Sequence, residues 1–446
     1  MNLNKIKFKK TGIMLLTLIV LAIPLLINFL KNKPLLMGSE SYYHLSQQAS
    51  LTKFYYYPLQ FLKTYIPENI LIVIPIIITI LSLILLFQLA KRMKIKENLF
   101  LLFLVILIFT PTFIISNITL SSYPLFILLI SIGALLLTTK KIKYLSILPF
   151  ILATFIDSFS TILLLIGLII YTIKYNKNKL GYILSIFTFI LLLFNYFLLK
   201  LPFILGPFHS QLHSADLISD FGGFSGISFF VIILAFIGLI ITTSKHKFNW
   251  TYVFLLLTLT AFIINTQVIY YLAILIIFFA TLGLDFILEK SWNLDIVKKI
   301  TIWIILLSIL FSFLSFMQRI ENIPPTANDL DSLQWIKENT PKNAIIFSTP
   351  ENSYLIKHFA KREPFYFINK ETKQQKNITK NIFLSTYPKL TFPLLQQNNI
   401  SVIYVTPKIK SEFPAEQGLL FLFNNENFKL THFSDNYEVW LYLADQ

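Results

Sequence analysis

The sequence predicts a polytopic α-helical membrane protein with about 11 spans, carrying a C-terminal mixed α/β domain. Three observations carry that expectation. Apolar runs of about 20 residues, enough to cross a hydrocarbon core, recur through the first two thirds of the chain. Charged residues make up only 13% of the chain, about half the share usual in soluble domains. After Met317 the apolar runs shorten and charge returns, which divides the chain into a membrane domain over 1–317 and a second domain over 318–446.

The candidate spans fall at roughly 12–30, 69–90, 98–116, 118–138, 144–156, 158–173, 180–199, 226–243, 249–264, 267–284 and 300–317. Lysines set their direction. Lys5 to Lys10, Lys91-Arg92 with Lys94 and Lys96, Lys140-Lys141 with Lys143, Lys174 with Lys177 and Lys179, Lys245 with Lys247, and Lys298-Lys299 all fall on one side of this scheme. The positive-inside rule makes that side cytoplasmic, with the N-terminus inside and the tail outside. The first run lacks a small-residue cleavage site after Leu30 and reads as a signal anchor. Placing lysines in loops accounts for most of the +16 net charge, so a nucleic-acid surface is not expected. With no cysteine, disulfides, thiolate nucleophiles and cysteine metal sites are excluded.

One run tests the scheme. Tyr144 to Ile173 is nearly unbroken over 30 residues. As a single helix it would be about 45 Å long and would leave basic clusters on both faces of the membrane. A hairpin of two short helices keeps both clusters inside and places Asp157-Ser158 at its tip. A carboxylate at that depth faces a cavity or a partner, or else caps the following helix. The expected outer loops are Lys31 to Glu68, Ser116-Asn117, Lys200 to Ser225 and Asn265-Thr266-Gln267.

In the tail, Leu330, Leu333 and Ile336 have helical spacing over 330–339, with Asn328 or Asp329 as the cap. Strands are expected at 344–347 and 401–405, a short helix at 354–360, and a closing hairpin from 428–433 and 437–443. This alternation describes a mixed α/β domain with its own core.

Candidate chemistry gathers in the outer loops. Glu40 lies in Gly38-Ser39-Glu40-Ser41-Tyr42-Tyr43-His44, just beyond the first span. It is placed to act as a base or metal ligand, or to start a helix as a solvated acid favoured by the dipole. The following Tyr42 to Tyr57 stretch reads as an interfacial helix. His209 and His213, four apart, share one face if helical, with Asp216 and Asp220 beside them. Oxygen ligands such as Glu40, Asp157 and Asp220 suit Mg²⁺ or Mn²⁺ better than Zn²⁺. Arg319, Arg362 and His358 are candidates for holding a phosphate, or simple anchors at a membrane boundary. No phosphate-cradling glycine loop, Ser-His-Asp spacing or zincin motif is present.

Two stretches resemble the catalytic subunit of oligosaccharyltransferase, within the GT-C class of membrane glycosyltransferases. The first is Gly38 to Leu45, matching an acidic residue followed by an aromatic pair and His-Leu; Glu40 stands where the family usually has a metal-binding Asp. The second runs from Leu333-Gln334-Trp335-Ile336-Lys337-Glu338-Asn339-Thr340-Pro341 through Ala344–Ser348 and Tyr354-Leu355-Ile356 to Ala360-Lys361-Arg362. Where the family has Ser-Trp-Trp-Asp-Tyr-Gly-Tyr, this chain has Ser348-Thr349-Pro350-Glu351-Asn352-Ser353-Tyr354. The tryptophans that grip the acceptor's hydroxyl residue are absent. The family's second acidic motif falls at Ser116-Asn117, for which Asp157 is the substitute at hand, and Ile218-Ser219-Asp220 matches its Ile-x-Glu element with a shorter acid.

The resemblance implies transfer of a sugar or oligosaccharide from a polyprenyl phosphate or diphosphate donor to a protein or lipid acceptor on the outer face. It implies Glu40, Asp220 and Asp157 as the catalytic acids. A divalent cation (Mg²⁺ or Mn²⁺) would sit on Glu40 and Asp220, with His209 and His213 as further ligands. Tyr43, His44, Arg319, Arg362 and Glu351 would contact substrate. The alternatives are a non-catalytic paralogue or carrier of lipid-linked glycans and, behind it, an ion-coupled transporter.

Overall fold

The computed structural model describes residues 3–46, 56–139, 141–174, 179–200, 203, 217–244, 250–367, 373–413 and 418–443. They form two compact units. The first joins Met1–Lys31 to Gln47–Glu321, and the second joins Asn32–Ser46 to Asn322–Gln446. The second unit is therefore discontinuous, a feature the sequence boundary at 317/318 does not anticipate.

The first unit is helical, and the expected spans overlap its helices. Among the described residues five helices, Lys10–Leu30, Glu68–Arg92, Lys179–Phe197, Thr266–Glu289 and the start of Asp295–Asn339, are long and apolar enough to cross a membrane. They become six if a bent pair counts as one span, so the expected count of about 11 is not confirmed. Five others, such as Tyr123–Leu137 and Phe229–Ser244, are apolar but shorter. Bare aliphatic faces, with Leu306, Phe311 and Trp303 on the last long helix exposed, suit lipid as solvent. Packing relies on close backbones. A Cβ on Gly238 would lie 1.9 Å from the Phe279 carbonyl oxygen, and one on Gly283 2.2 Å from that of Leu234. Only glycine lets the Phe229–Ser244 and Ile269–Glu289 helices approach so closely.

The hairpin expected over Tyr144 to Ile173 is present, as helices Ile147–Thr154 and Ser158–Lys174. Ser116-Asn117 is not a loop. Glu97–Phe109 and Pro111–Ile118 are two helices bent by 66° at Thr110, and both residues are buried in the second. The proline ends the first helix because it cannot continue the ladder and disfavours helical backbone at Thr110. Asn117 then satisfies itself internally, donating Nδ2 to the Phe113 carbonyl at 2.6 Å and accepting from Thr79.

The second unit is built on a five-stranded sheet of order β2-β1-β3-β5-β4, with β1 Ile345–Phe347, β2 Glu363–Pro364, β3 Ile400–Val405, β4 Phe428–Ser434 and β5 Tyr437–Tyr442. β1 pairs in parallel with β2 and β3, while β5 pairs antiparallel with β3 and β4. Phe347, Ile382, Phe383, Leu395, Ile403 and Val405 are central to its core. The expected strands and closing hairpin are all present. The helix at 330–339 begins earlier, at Ala327, because Thr326 rather than Asn328 or Asp329 is its cap. Asp329 completes a capping box from the third position. The Tyr354–Ala360 helix is a turn over Ser353–Leu355 that widens to a π-turn over Ile356–Ala360.

Candidate functional site

In the first unit the residues around Asp220 fold back on themselves. Ile218 and Ile227 form a bridge, the Ile227 amide donates to the Leu217 carbonyl at 2.8 Å, and Gly222 and Gly226 adopt φ of 103° and 129°. A Cβ on Gly226 would lie 2.8 Å from the Ser219 amide nitrogen, so the tight return requires glycine on both counts. Thr112, just after the helix break, donates to the Gly226 carbonyl and accepts from its amide at 3.1 Å, which pins the loop.

Asp220 sits at the tip of this loop. Its Oδ2 accepts from the Phe229 amide at 2.8 Å, at the start of the Phe229–Ser244 helix, and its Oδ1 accepts from Ser312. Two turns beyond Ser312 on the same helix, Arg319 donates Nη1 to the Ser219 carbonyl at 2.5 Å. Its Nε and Nη2 are buried and have no hydrogen-bond partner among the described residues. The guanidinium is thus anchored at one nitrogen, and a buried donor without a partner is costly. Ser312 is the residue the sequence reading missed. Its signal was a serine seven residues before Arg319, on the same face of an apolar helix.

Asp157 caps the Ser158–Lys174 helix. Its Oδ1 accepts from the Ser160 amide at 2.6 Å, and Ser160 Oγ lies 2.6 Å from the Tyr271 hydroxyl. The side chain is buried rather than solvated. His209, His213 and Asp216 lie outside the described residues.

Glu40 belongs to the second unit. Gly38 takes φ of 75°, gives its amide to the Pro324 carbonyl at 2.7 Å and starts the helix Gly38–Ser46. Glu40 falls in the first turn, where the helix dipole favours a carboxylate, with Oε1 3.8 Å from His44 Nε2. Tyr42 and Tyr43 are not spread on a membrane surface as the interfacial reading expects. They are buried, Tyr42 packed on His358 and Phe359 at 4.9 and 5.0 Å and Tyr43 edge-on to Tyr354 at 5.0 Å. Burial, with Tyr43 beside it, pushes the Tyr354 phenol well above its ordinary value. His358 is thus a packing residue in the ring cluster.

Arg362 is committed to structure. Nε donates to Thr340 Oγ1 at 3.0 Å, Nη2 to the Lys337 and Thr340 carbonyls at 2.6 and 2.5 Å, and Nη1 to the Ala360 and Lys361 carbonyls at 3.3 and 3.4 Å. It closes the C-terminal end of the Ala327–Asn339 helix, where a cation is favoured. All five of its donors are used, so the expectation that it holds a phosphate is corrected. In the turn over Ser348–Tyr354 several side chains bond to one another, while Ser353 Oγ is buried with no hydrogen-bond partner among the described residues. Ser348 donates to the Tyr404 carbonyl at 2.8 Å, and Asn352 Nδ2 donates to Ser348 and Thr349 hydroxyls at 2.9 and 3.2 Å. Glu351 faces Lys408 at 3.5 Å. Burial lowers the Lys408 pKa, but Glu351 and Glu412 outweigh it and hold the ammonium above its usual value.

Among the described residues no three His, Asp or Glu side chains converge. Asp220 already serves two donors, and Glu40 belongs to the other unit. The described residues of neither unit therefore build a divalent-cation site by themselves.

No family model matches the sequence, and no curated protein matches it at a significant level. Solved structures do. The Archaeoglobus fulgidus oligosaccharyltransferase in its apo form superposes with a TM-score of 0.58 at 11% identity, over 89% of this chain and 70% of that one. The A. fulgidus oligosaccharyltransferase AglB with an inhibitory peptide and a dolichol-phosphate gives 0.51 at 12% identity, over 98% and 75%. The A. fulgidus enzyme with Zn and sulfate gives 0.51 at 11%, over 87% and 67%. These likenesses establish the fold, and the chain has an oligosaccharyltransferase-like fold of the GT-C class.

Proposed function

We propose that the chain is an integral-membrane glycosyltransferase that moves a sugar or oligosaccharide from a polyprenyl phosphate or diphosphate to an acceptor on the outer face of the membrane. The observation that carries this is the Asp220–Ser312–Arg319 cluster in an oligosaccharyltransferase-like fold. It presents two buried guanidinium donors with no partner among the described residues, beside a loop held in place by Thr112. The AglB complex with dolichol-phosphate supports a lipid-linked donor, and its inhibitory peptide supports a peptide-like acceptor.

In this reading Arg319 Nε and Nη2 grip two oxygens of the donor's phosphate, and Asp220 keeps the guanidinium aimed. The bond from the sugar's anomeric carbon to phosphate oxygen breaks, and the electron pair leaves on the phosphate. A new bond forms from that carbon to the acceptor atom, whose proton leaves to a base, a role for which Glu40 is proposed on the sequence resemblance alone. Gathering the leaving charge on preset donors stabilises the transition state more than the ground state. Asp157 acts by positioning the Tyr271 face through Ser160. A divalent cation on Glu40 and Asp220, with His209 and His213 as further ligands, would neutralise the leaving phosphate; among the described residues no three such ligands converge.

The Ser348–Tyr354 turn favours an acceptor other than the Asn-x-Ser/Thr peptide, because it leaves no tryptophan pair to grip a hydroxyl residue. It also favours the second reading, a non-catalytic protein that binds lipid-linked glycans. One experiment separates the two. Purified full-length protein is supplied with polyprenyl-linked donor extracted from its own membranes, and donor binding and glycan transfer are measured together. Arg319→Gln should lose donor binding on either reading. Glu40→Gln should keep binding and lose transfer if the chain is an enzyme. Full transfer by Glu40→Gln removes Glu40 from the mechanism, and binding without transfer in the unaltered protein establishes the second reading.

A further inference from the structure

We propose that the second unit carries a docking surface for an anionic lipid bilayer at the turn between its Lys373–Leu384 and Pro388–Gln397 helices. The inference is independent of whether the chain transfers sugar. The turn is apolar where a soluble domain would be polar. Leu384, Tyr387 and Leu390 are 53%, 68% and 60% exposed within seven residues. Phe421 is also exposed, one turn beyond Gly418, whose backbone lies directly against the Phe383 carbonyl and Leu384. These four side chains are not an unfilled core, because the inner faces of the same helices supply Ile382, Phe383, Phe392 and Leu395 to it. A clustered apolar tip of this kind marks a contact surface.

Charge names the partner. Between Glu371 and Glu412 the chain has no acidic residue, while Lys376, Lys380 and Lys389 flank the tip and are exposed. Ion pairs in this stretch are made by Lys408 with Glu351 and Lys410 with Glu438. No ion pair among the described residues includes Lys376, Lys380 or Lys389. Leucines and a tyrosine ringed by unpaired lysines match the boundary between acyl chains and anionic headgroups. A protein partner is the less favoured occupant, since interface centres are depleted of lysine.

The absence of cysteine makes the test direct. A single Thr386→Cys in the full-length protein is labelled with an environment-sensitive fluorophore and placed in nanodiscs of phosphatidylcholine alone or with phosphatidylglycerol, each with nitroxide-bearing lipid. A label at Glu338→Cys, on an exposed helix end, gives the water-facing baseline. In anionic discs the Thr386 label should shift blue and be quenched, and the Glu338 label should not. Each lysine near an anionic surface is worth about fivefold in partitioning. Replacing Lys376, Lys380 and Lys389 together by Gln should therefore return the Thr386 label toward baseline without changing the protein's melting. A water-like, unquenched label in both discs overturns the proposal. So does equal quenching with and without the three lysines, which would mark a contact indifferent to charge. A blue shift that needs no lipid quencher and grows with protein concentration would assign the surface to a second copy of the chain.

Discussion

Arg319 and Arg362 are two of only three arginines in the chain, and the structure gives them opposite uses. Arg362 has every donor on a carbonyl or hydroxyl of its own domain. Arg319 gives one donor to Ser219 and keeps Nε and Nη2 buried and unmatched among the described residues. A buried donor without a partner costs about 1–3 kcal/mol. Folding has no use for that cost, whereas an incoming anion would recover it. The same contrast separates their surroundings. Ser312 bonds to Asp220 beside Arg319 but not to the guanidinium, while Ser348, Asn352 and Thr349 satisfy one another. A polar cluster that closes on itself holds structure, and one that closes only in part is prepared for a ligand.

The sharpest way to break this comparison is to exchange the phenotypes. Arg319→Gln should lower glycan transfer about 100-fold, the scale of losing a preset donor to developing charge. Its melting temperature should stay within a few degrees of the unaltered protein, because only one hydrogen bond is lost. Arg319→Lys should recover part of the rate, since a point charge replaces the fork. If Arg319→Gln unfolds the protein while transfer per folded molecule is retained, the guanidinium is structural and the contrast collapses.

Arg362→Gln should do the reverse. Removing a buried cation that ties a helix end to the following strand should destabilise the second unit by about 2–4 kcal/mol. Limited proteolysis of the full-length protein should show earlier cleavage within 322–446. Donor binding below the melting temperature should be unchanged. Loss of donor affinity with intact protease resistance would return Arg362 to the candidate site.

The sequence shows neither arginine's role, because both are lone cations beside a membrane boundary or a turn. What distinguishes them is tertiary. Two of the carbonyls that Arg362 meets, those of Lys337 and Thr340, are more than 20 residues away in sequence, and Ser219 lies 100 residues from Arg319. The helices were legible since their signal is local and apolar. The Tyr144–Ile173 hairpin was also legible, because length and lysine placement exclude a single span. Two features were not. The bend at Thr110 turned an expected loop into a buried helix over Ser116 and Asn117. The placement of Tyr42 and Tyr43 in the second unit depends on rings at Tyr354, His358 and Phe359, about 300 residues on. Aromatic residues after a span look interfacial until their partners are known.

The Ser348–Tyr354 turn offers a smaller test. Asn352→Ala leaves the Ser348 and Thr349 hydroxyls without a buried donor and should cost about 1 kcal/mol. Transfer by the folded fraction should be unchanged, as measured by activity against thermal unfolding of the same sample. A large fall in transfer with normal stability would show that this turn meets the acceptor after all.

The smallest expected effect sharpens the comparison through pH. In the second unit Tyr437 donates its hydroxyl at 3.3 Å to Asp329 and lies 3.0 Å from Thr326 Oγ1. Burial first, and then the Asp329 carboxylate, push this phenol up to about 12, from an ordinary value of 10.0. Tyr404, fully buried and donating to Asp329 at 2.6 Å, is raised for the same reasons. A group raised on folding contributes its full stabilisation below the unfolded value and loses it as pH climbs through the folded one. The second unit should therefore keep its stability to about pH 10 and lose it progressively toward pH 12. Solvent screening of the half-exposed Tyr437 holds its share to about 1 kcal/mol. Tyr437→Phe should lower stability slightly at neutral pH and flatten part of the alkaline decline, read as melting temperature against pH. An unaltered slope in that variant would mean that Asp329 and its phenols do not couple to folding. The second unit would then not be the self-satisfied partner in this comparison.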